Sequence, residues 1–183
     1  LPSSGLSTVL SQLVGISLAV REGEGYYIPV GHSNGQTNLE FALVLDALRP
    51  AFTDPQVKKI GHNIKYDALV LRNSGLLVAP LSFDSMIAAW LVEPETRRLG
   101  LKDMAETELD AAMTHIEALI GKGKNQLSMA EIAIADVAPY AAADAEVPLR
   151  LMPILEKRMQ EHRADKIFEE IEMPLVPVLE EME

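Results

Sequence analysis

Lys58-Lys59-Ile60-Gly61-His62-Asn63-Ile64-Lys65-Tyr66-Asp67-Ala68-Leu69-Val70-Leu71-Arg72-Asn73-Ser74-Gly75 contains a change of period. Residues 57–61 read as a short strand, and residues 63–73 as a helix closed by Ser74-Gly75. A strand that feeds directly into a helix is a unit of mixed α/β architecture. Upstream, Leu13 to Val20 (LVGISLAV) reads as a buried strand. Glu22 to Glu24 form a Gly-containing turn, and Gly25 to Val30 return as a second strand, which is a hairpin signal. Asn38 to Phe52 has helical spacing and ends at Asp54-Pro55. Downstream, helices are predicted over 84–92 and 101–108, and from about Asp136 to the end. Ser128 and Glu131 have the spacing of a capping box. This order fits a sheet with helices packed over it.

The chain has 183 residues, which suits one domain with a piece of a second, and 48% of them are hydrophobic. There is no Cys, so disulfides and thiolate metal sites are excluded. No basic segment leads into an apolar core at the N-terminus, and no apolar run is long enough to span a bilayer. A cytoplasmic protein with no membrane partner is expected. The net charge of −11 argues against tight nonspecific DNA binding by this segment alone. It does not exclude an enzyme acting on nucleic acid. Metal-holding carboxylates add negative charge, and the metals then neutralise both site and phosphate.

Two pairs of polar residues lie four apart, a spacing that puts both members on one helix face. In the first pair, Asn63 and Asp67, Asp67 is suited to be a hard oxygen ligand for magnesium or manganese, and Asn63 could bond a substrate. On spacing alone, the commoner reading is that Asn63 caps the helix and Asp67 sits in solvent. In the second pair, Tyr140 and Asp144, the carboxylate could hold a metal while the hydroxyl positions a water. The bland alternative is a packed Tyr and an exposed Asp. Ala141, Ala142 and Ala143 would let another chain approach this face closely. Pro148 cannot donate to the Asp144 carbonyl, so a kink or break is predicted within a turn of Asp144. Asp84 reads as an N-cap. Lys122 and Lys124 lie in a basic loop that could touch phosphates, with Arg97 and Arg98 as a second cluster. His62 and His115 have no ligand partner at metal spacing and read as structural or exposed.

LVGISLAV, YYIPVGH, KKIGHNIKYDALVLRNSG, FDSMIAAWLVEP, GKGKNQL, YAAADAEVPLRL and EIEMPLVPVLEEME occur in this order along the chain. In order and spacing they resemble the 3′–5′ proofreading exonuclease domain of bacterial DNA polymerase I. The resemblance runs from about Leu13 to Glu183. It implies a ribonuclease H-like mixed sheet flanked by helices, and two-metal hydrolysis with Mg2+ or Mn2+ at a single-stranded DNA 3′ end. Asp67 and Asp144 match acidic metal ligands, Tyr140 the tyrosine and Asn63 the amide of the second motif. Leu6 matches a leucine that packs on the terminal nucleotide. The closing segment, 173–183, resembles the link into a polymerase domain, which leaves 1–172 as the exonuclease unit and makes the polymerase a partner in the same parent chain.

The family's first motif, Asp-x-Glu, has no counterpart here. Counting back from Leu13 places its Glu on Pro2 and its Asp before Leu1, and no Asp or Glu occurs between Leu1 and Arg21. The first strand of the sheet is expected to be missing with it. Either the motif lies upstream of Leu1, or it has degenerated and the domain is an inactive scaffold for the polymerase. In both cases this segment alone carries two of the four acidic ligands, and the resemblance implies impaired activity.

Overall fold

The computed structural model describes residues 13–33 and 35–183. Leu6 therefore lies outside the described residues. Strand β1 (Gly15–Arg21) pairs antiparallel with β2 (Glu24–Pro29), giving the expected hairpin. Helix α1 (Phe41–Thr53) follows, then β3 (Lys59–Gly61) and α2 (Ile64–Asn73). Strand β4 (Leu81–Asp84) lies parallel to β3, with Gly61 opposite Asp84. Helices α3 (Ser85–Val92), α4 (Leu101–Leu109) and α5 (Glu117–Ile120) lead to the long α6 (Ile134–His162). A short α7 (Asp165–Ile167), a π-helical turn (Phe168–Glu172) and α8 (Met173–Met182) complete the chain. Among the described residues the strands form two separate pairs, β1–β2 and β3–β4. No helix among them is long and apolar enough to cross a membrane.

The β3–α2–β4–α3 unit is organised by one carboxylate. Asp84 ends β4, is 1% exposed, and accepts N–H bonds from Met86 (2.8 Å) and Ile87 (3.4 Å) at the start of α3. That is the N-cap expected from the sequence. It also accepts from Asn63 (3.1 Å) and Ile64 (2.8 Å), the first amides of α2. The parallel register places Asp84 beside Gly61, so the end of β4 faces the turn that opens α2. One side chain thus satisfies orphan donors of two helices. Asn63 occupies the cap position in a left-handed conformation (φ 54°), one that Asn tolerates better than most residues. Its own side chain makes no capping bond.

Helix α6 lies at the centre of the packing. Val137 and Ala141 join one core with Val14, Met129 and Ile132. Val147, Leu151, Leu155 and Met159 join another with Phe83, Ala88, Met104 and Phe168. The start of α6 is tied to the loop after β2. His32 is buried, with Nδ1 3.0 Å from the Ile132 carbonyl and Nε2 2.8 Å from the Tyr27 hydroxyl. A carbonyl can only accept, so Nδ1 carries the hydrogen and Tyr27 donates to Nε2. Burial pushes the Tyr27 pKa up to about 12, which keeps that hydroxyl protonated.

Two expectations change. Helix α6 continues through Pro139, Pro148 and Pro153, so the break expected near Asp144 is not there. Pro148 does remove a donor, but it is buried with Val147 and Leu151, and packing on both sides of the proline holds the helix together. Ser128 and Glu131 do form a capping box, but it heads a 3₁₀ turn (Met129–Glu131). The small residues at 141–143 lie close against strand β2 of the same chain. A Cβ on Gly25 would stand 2.5 Å from the Ala142 carbonyl oxygen.

Replacing Asp84 with Ala removes four buried bonds, and urea unfolding is expected to show a loss of about 3 kcal/mol or more. Asp84→Asn is expected to lose less. One amide oxygen can still serve Asn63, Met86 and Ile87, while the amide nitrogen cannot accept from Ile64.

Candidate exonuclease site

Tyr140 and Asp144 project from consecutive turns of α6. The buried stripe of that helix runs Val137, Ala141, Val147-Pro148, Leu151, and Asp144 falls in it three residues after Ala141. A position with apolar spacing therefore holds a carboxylate. Its Oδ1 is buried and has no hydrogen-bond partner. A buried carboxylate oxygen without a partner is costly. Burial raises the Asp144 pKa above its ordinary 3.8, the Lys102 charge and a Tyr140 hydrogen bond oppose the rise, and the Asp67 charge adds to it. The exposed-Asp reading of this position does not hold.

Asp67 reaches the same region from the first turn of α2. Its charge acts on both Asp144 and His62, so α2 and α6 bring the two carboxylates into one electrostatic neighbourhood. Asn63 lies one turn earlier with its side chain exposed. Burial raises the Tyr140 pKa further above its ordinary 10, and the charge of Asp144, a hydrogen bond with it, and the charge of Glu117 act in the same direction. Tyr140 therefore stays a phenol and acts as a hydrogen-bonding group. A cleft of about 450 Å³ opens beside this pair, between α6 and the segment 112–119.

Lys102 of α4 is a neighbour that sequence reasoning missed. Its Nζ donates to the Tyr140 hydroxyl (3.2 Å) and lies 3.9 Å from Asp144 Oδ1. No local pattern marks it, because α4 and α6 meet only in the fold. His62 is structural, as expected. Ser85 Oγ donates to the Gly61 carbonyl (3.2 Å), so His62 Nδ1–H donates to Ser85 (3.0 Å). Burial lowers the His62 pKa against the pull of Asp84 and Asp67.

The other candidates are less engaged. Lys122 is exposed ahead of a 3₁₀ turn (Gly123–Asn125) that contains Lys124. Arg98 is bonded to Asp103 (3.2 Å) and Glu106 (3.1 Å), so its own charge is neutralised. Among the described residues no group of three or more His, Asp or Glu converges as a metal cluster. The donors present still fit a hard divalent cation: Asp144 offers a partnerless carboxylate oxygen, and Asp67 lies near it.

The fold is α/β, and Tyr140 and Asp144 share one neighbourhood in which the charge of Asp67 is felt. A profile described as 3′–5′ exonuclease matches residues 3–160, and the chain belongs to that family. The relatives are DNA polymerases I. That of Chloroflexus aurantiacus is 43% identical over 98% of this chain, and that of Pseudomonas aeruginosa 36% over 94%. The chain spans only about a fifth of each, 19% and 20%. Solved structures share the fold. Brucella melitensis NrnC with bound Mg2+ has a TM-score of 0.74 at 22% identity, covering 98% of this chain and 80% of that one. The POL domain of Pol1 from M. smegmatis, in complex with DNA primer-template and dNTP, has a TM-score of 0.71 at 20% identity, covering 94% and 25%. The ribonuclease H-like architecture expected from the sequence stands.

The raised pKa of Asp144 sets a sign for stability. A carboxyl with a folded pKa above its unfolded value favours the folded state when protonated, so the charged form costs stability at pH 7. The attraction of Lys102 is already included in that balance. In buffer with EDTA, Asp144→Asn is expected to raise the urea midpoint at pH 7. The gain should shrink as pH falls through the raised pKa toward 3.8. A lower midpoint at pH 7 would contradict this.

Proposed function

We propose that this chain is the 3′–5′ exonuclease unit of a DNA polymerase I, acting on single-stranded DNA 3′ ends during proofreading. The observation that carries the reading is Oδ1 of Asp144, buried beside Tyr140 with no hydrogen-bond partner and only the ion pair to Lys102, with the Asp67 charge acting on it. An inactive scaffold has no use for a carboxylate held half-buried, with one oxygen out of reach of water. A hard-cation ligand does.

On this reading Asp67 and Asp144 are metal ligands, and Tyr140 orients the attacking water by hydrogen bonding. Magnesium or manganese, when bound, supplies positive charge to the attacking and leaving oxygens. The neighbour with bound Mg2+ supports that choice. The water oxygen joins phosphorus, the bond to the 3′ oxygen of the preceding nucleotide breaks, and a nucleoside monophosphate is released. On the same reading Asn63, exposed at the N-terminus of the helix that carries Asp67, contacts the strand. Leu6 is assigned to nucleic-acid binding by the family resemblance, and Lys122 and Lys124 by their place in a basic loop.

Residues 173–183 are read as the start of the link to a polymerase domain, with 1–172 as the exonuclease unit. The relatives, about five times longer than this chain, support a larger parent. We infer that the Asp-x-Glu carboxylates implied by the family resemblance are needed to complete the ligand set. The 183-residue chain alone is therefore impaired.

The test is Mg2+-dependent release of nucleotides from a labelled single-stranded 3′ end. A longer chain that includes an upstream Asp-x-Glu strand is expected to digest the end, while the 183-residue chain stays near background. In the longer chain, Asp144→Ala should remove hydrolysis, and Tyr140→Phe should slow it by about a hundredfold. Rapid digestion by the 183-residue chain would contradict the impairment. Near-normal hydrolysis in Asp144→Ala would contradict the ligand role.

A further inference from the structure

Lys102 belongs to none of the motifs, yet it contacts both Tyr140 and Asp144. Its Nζ lies 3.2 Å from the Tyr140 hydroxyl, 4.2 Å from the centre of the Tyr140 ring and 3.9 Å from Asp144 Oδ1. The side chain is 20% exposed. It grows from a rigid turn, since Met104 and Ala105 of the same helix are buried in the core.

Two consequences follow from the chemistry of an ammonium. It has hydrogens to give and no lone pair, so the Tyr140 oxygen accepts from it and the Tyr140 O–H points elsewhere. Its 3.9 Å separation from Asp144 is an ion pair beyond hydrogen-bond reach, so Oδ1 is buried without a hydrogen-bond donor while a positive charge already faces it. Any second cation at that oxygen meets the ammonium at close range.

We propose that Lys102 is a positioning residue of this site, which fixes the direction of the Tyr140 hydroxyl and opposes cation binding at Asp144 with its own charge. The inference rests on the reading of Asp144 as a cation ligand. Lys102 then sets how tightly the site holds a metal ion. It keeps Asp144 partly neutralised, and a divalent ion binds in spite of it.

The test measures Mn2+ binding by electron paramagnetic resonance in the 183-residue chain and its variants. Circular dichroism confirms that each is folded. Lys102→Met and Lys102→Gln are expected to bind Mn2+ about tenfold more tightly than the unaltered chain, the size of a screened ammonium–cation repulsion at this distance. Lys102→Arg, which keeps the charge, should stay close to the unaltered chain, and Asp144→Asn should lose the ion. Unchanged or weaker binding in both uncharged variants overturns the role of Lys102, and loss of the ion in Asp144→Asn shows that the Asp144 reading survives. Mn2+ binding that persists in Asp144→Asn overturns the ligand reading itself.

Discussion

The carboxylate of Asp84 accepts backbone N–H groups from the first turns of two helices at once. The bonds to Asn63 and Ile64 fix where α2 begins, and those to Met86 and Ile87 fix where α3 begins. With both helix starts pinned to the end of β4, the direction of α2 is set, and with it the position of Asp67. The far side of α2 is held by α8. Lys65 pairs with Glu183, and Arg72 with Glu180 at 3.4 Å. The helix that carries the first candidate pair is thus held at its start and along one flank.

The second pair is placed by a different device. Helix α6 passes from one core to another, and its buried stripe carries Val137 and Ala141 on one side of Asp144 and Val147 and Leu151 on the other. Packing strong enough to carry the helix through Pro148 also holds Asp144 where water cannot fully serve it. The raised pKa of Asp144 and its partnerless oxygen are two signs of the same burial. This is the trade common at functional sites, where a local cost in stability is retained because the exposed chemistry is needed. The close approach of Gly25 to Ala142 shows how little room the hairpin leaves on the neighbouring face.

Much of the fold was legible from local pattern. The β1–β2 hairpin, the strand-to-helix step at Gly61 and the N-cap at Asp84 all depend on neighbouring residues. What depended on distance was not legible. Strand β4 is four residues long and follows Pro80, too short for a periodic signal. The second role of Asp84, on α2, arises from a parallel register across 21 residues. Lys102 meets Tyr140 across 38. The break that the missing Pro148 donor suggested is absent because the core on both sides of the proline holds the helix together. Asp144 did carry a signal: an acidic residue at the apolar spacing of its helix is a buried carboxylate in waiting.

The central claim is that Asp67 and Asp144 face one cation. Carbon-13 NMR of the aspartate side-chain carboxyls, followed through a Mg2+ titration of the 183-residue chain, tests it most directly. The account requires the Asp67 and Asp144 resonances to move along a single binding curve, with the Asp67 response lost in Asp144→Asn. Separate curves, or an Asp144 resonance that does not respond to Mg2+, would contradict it.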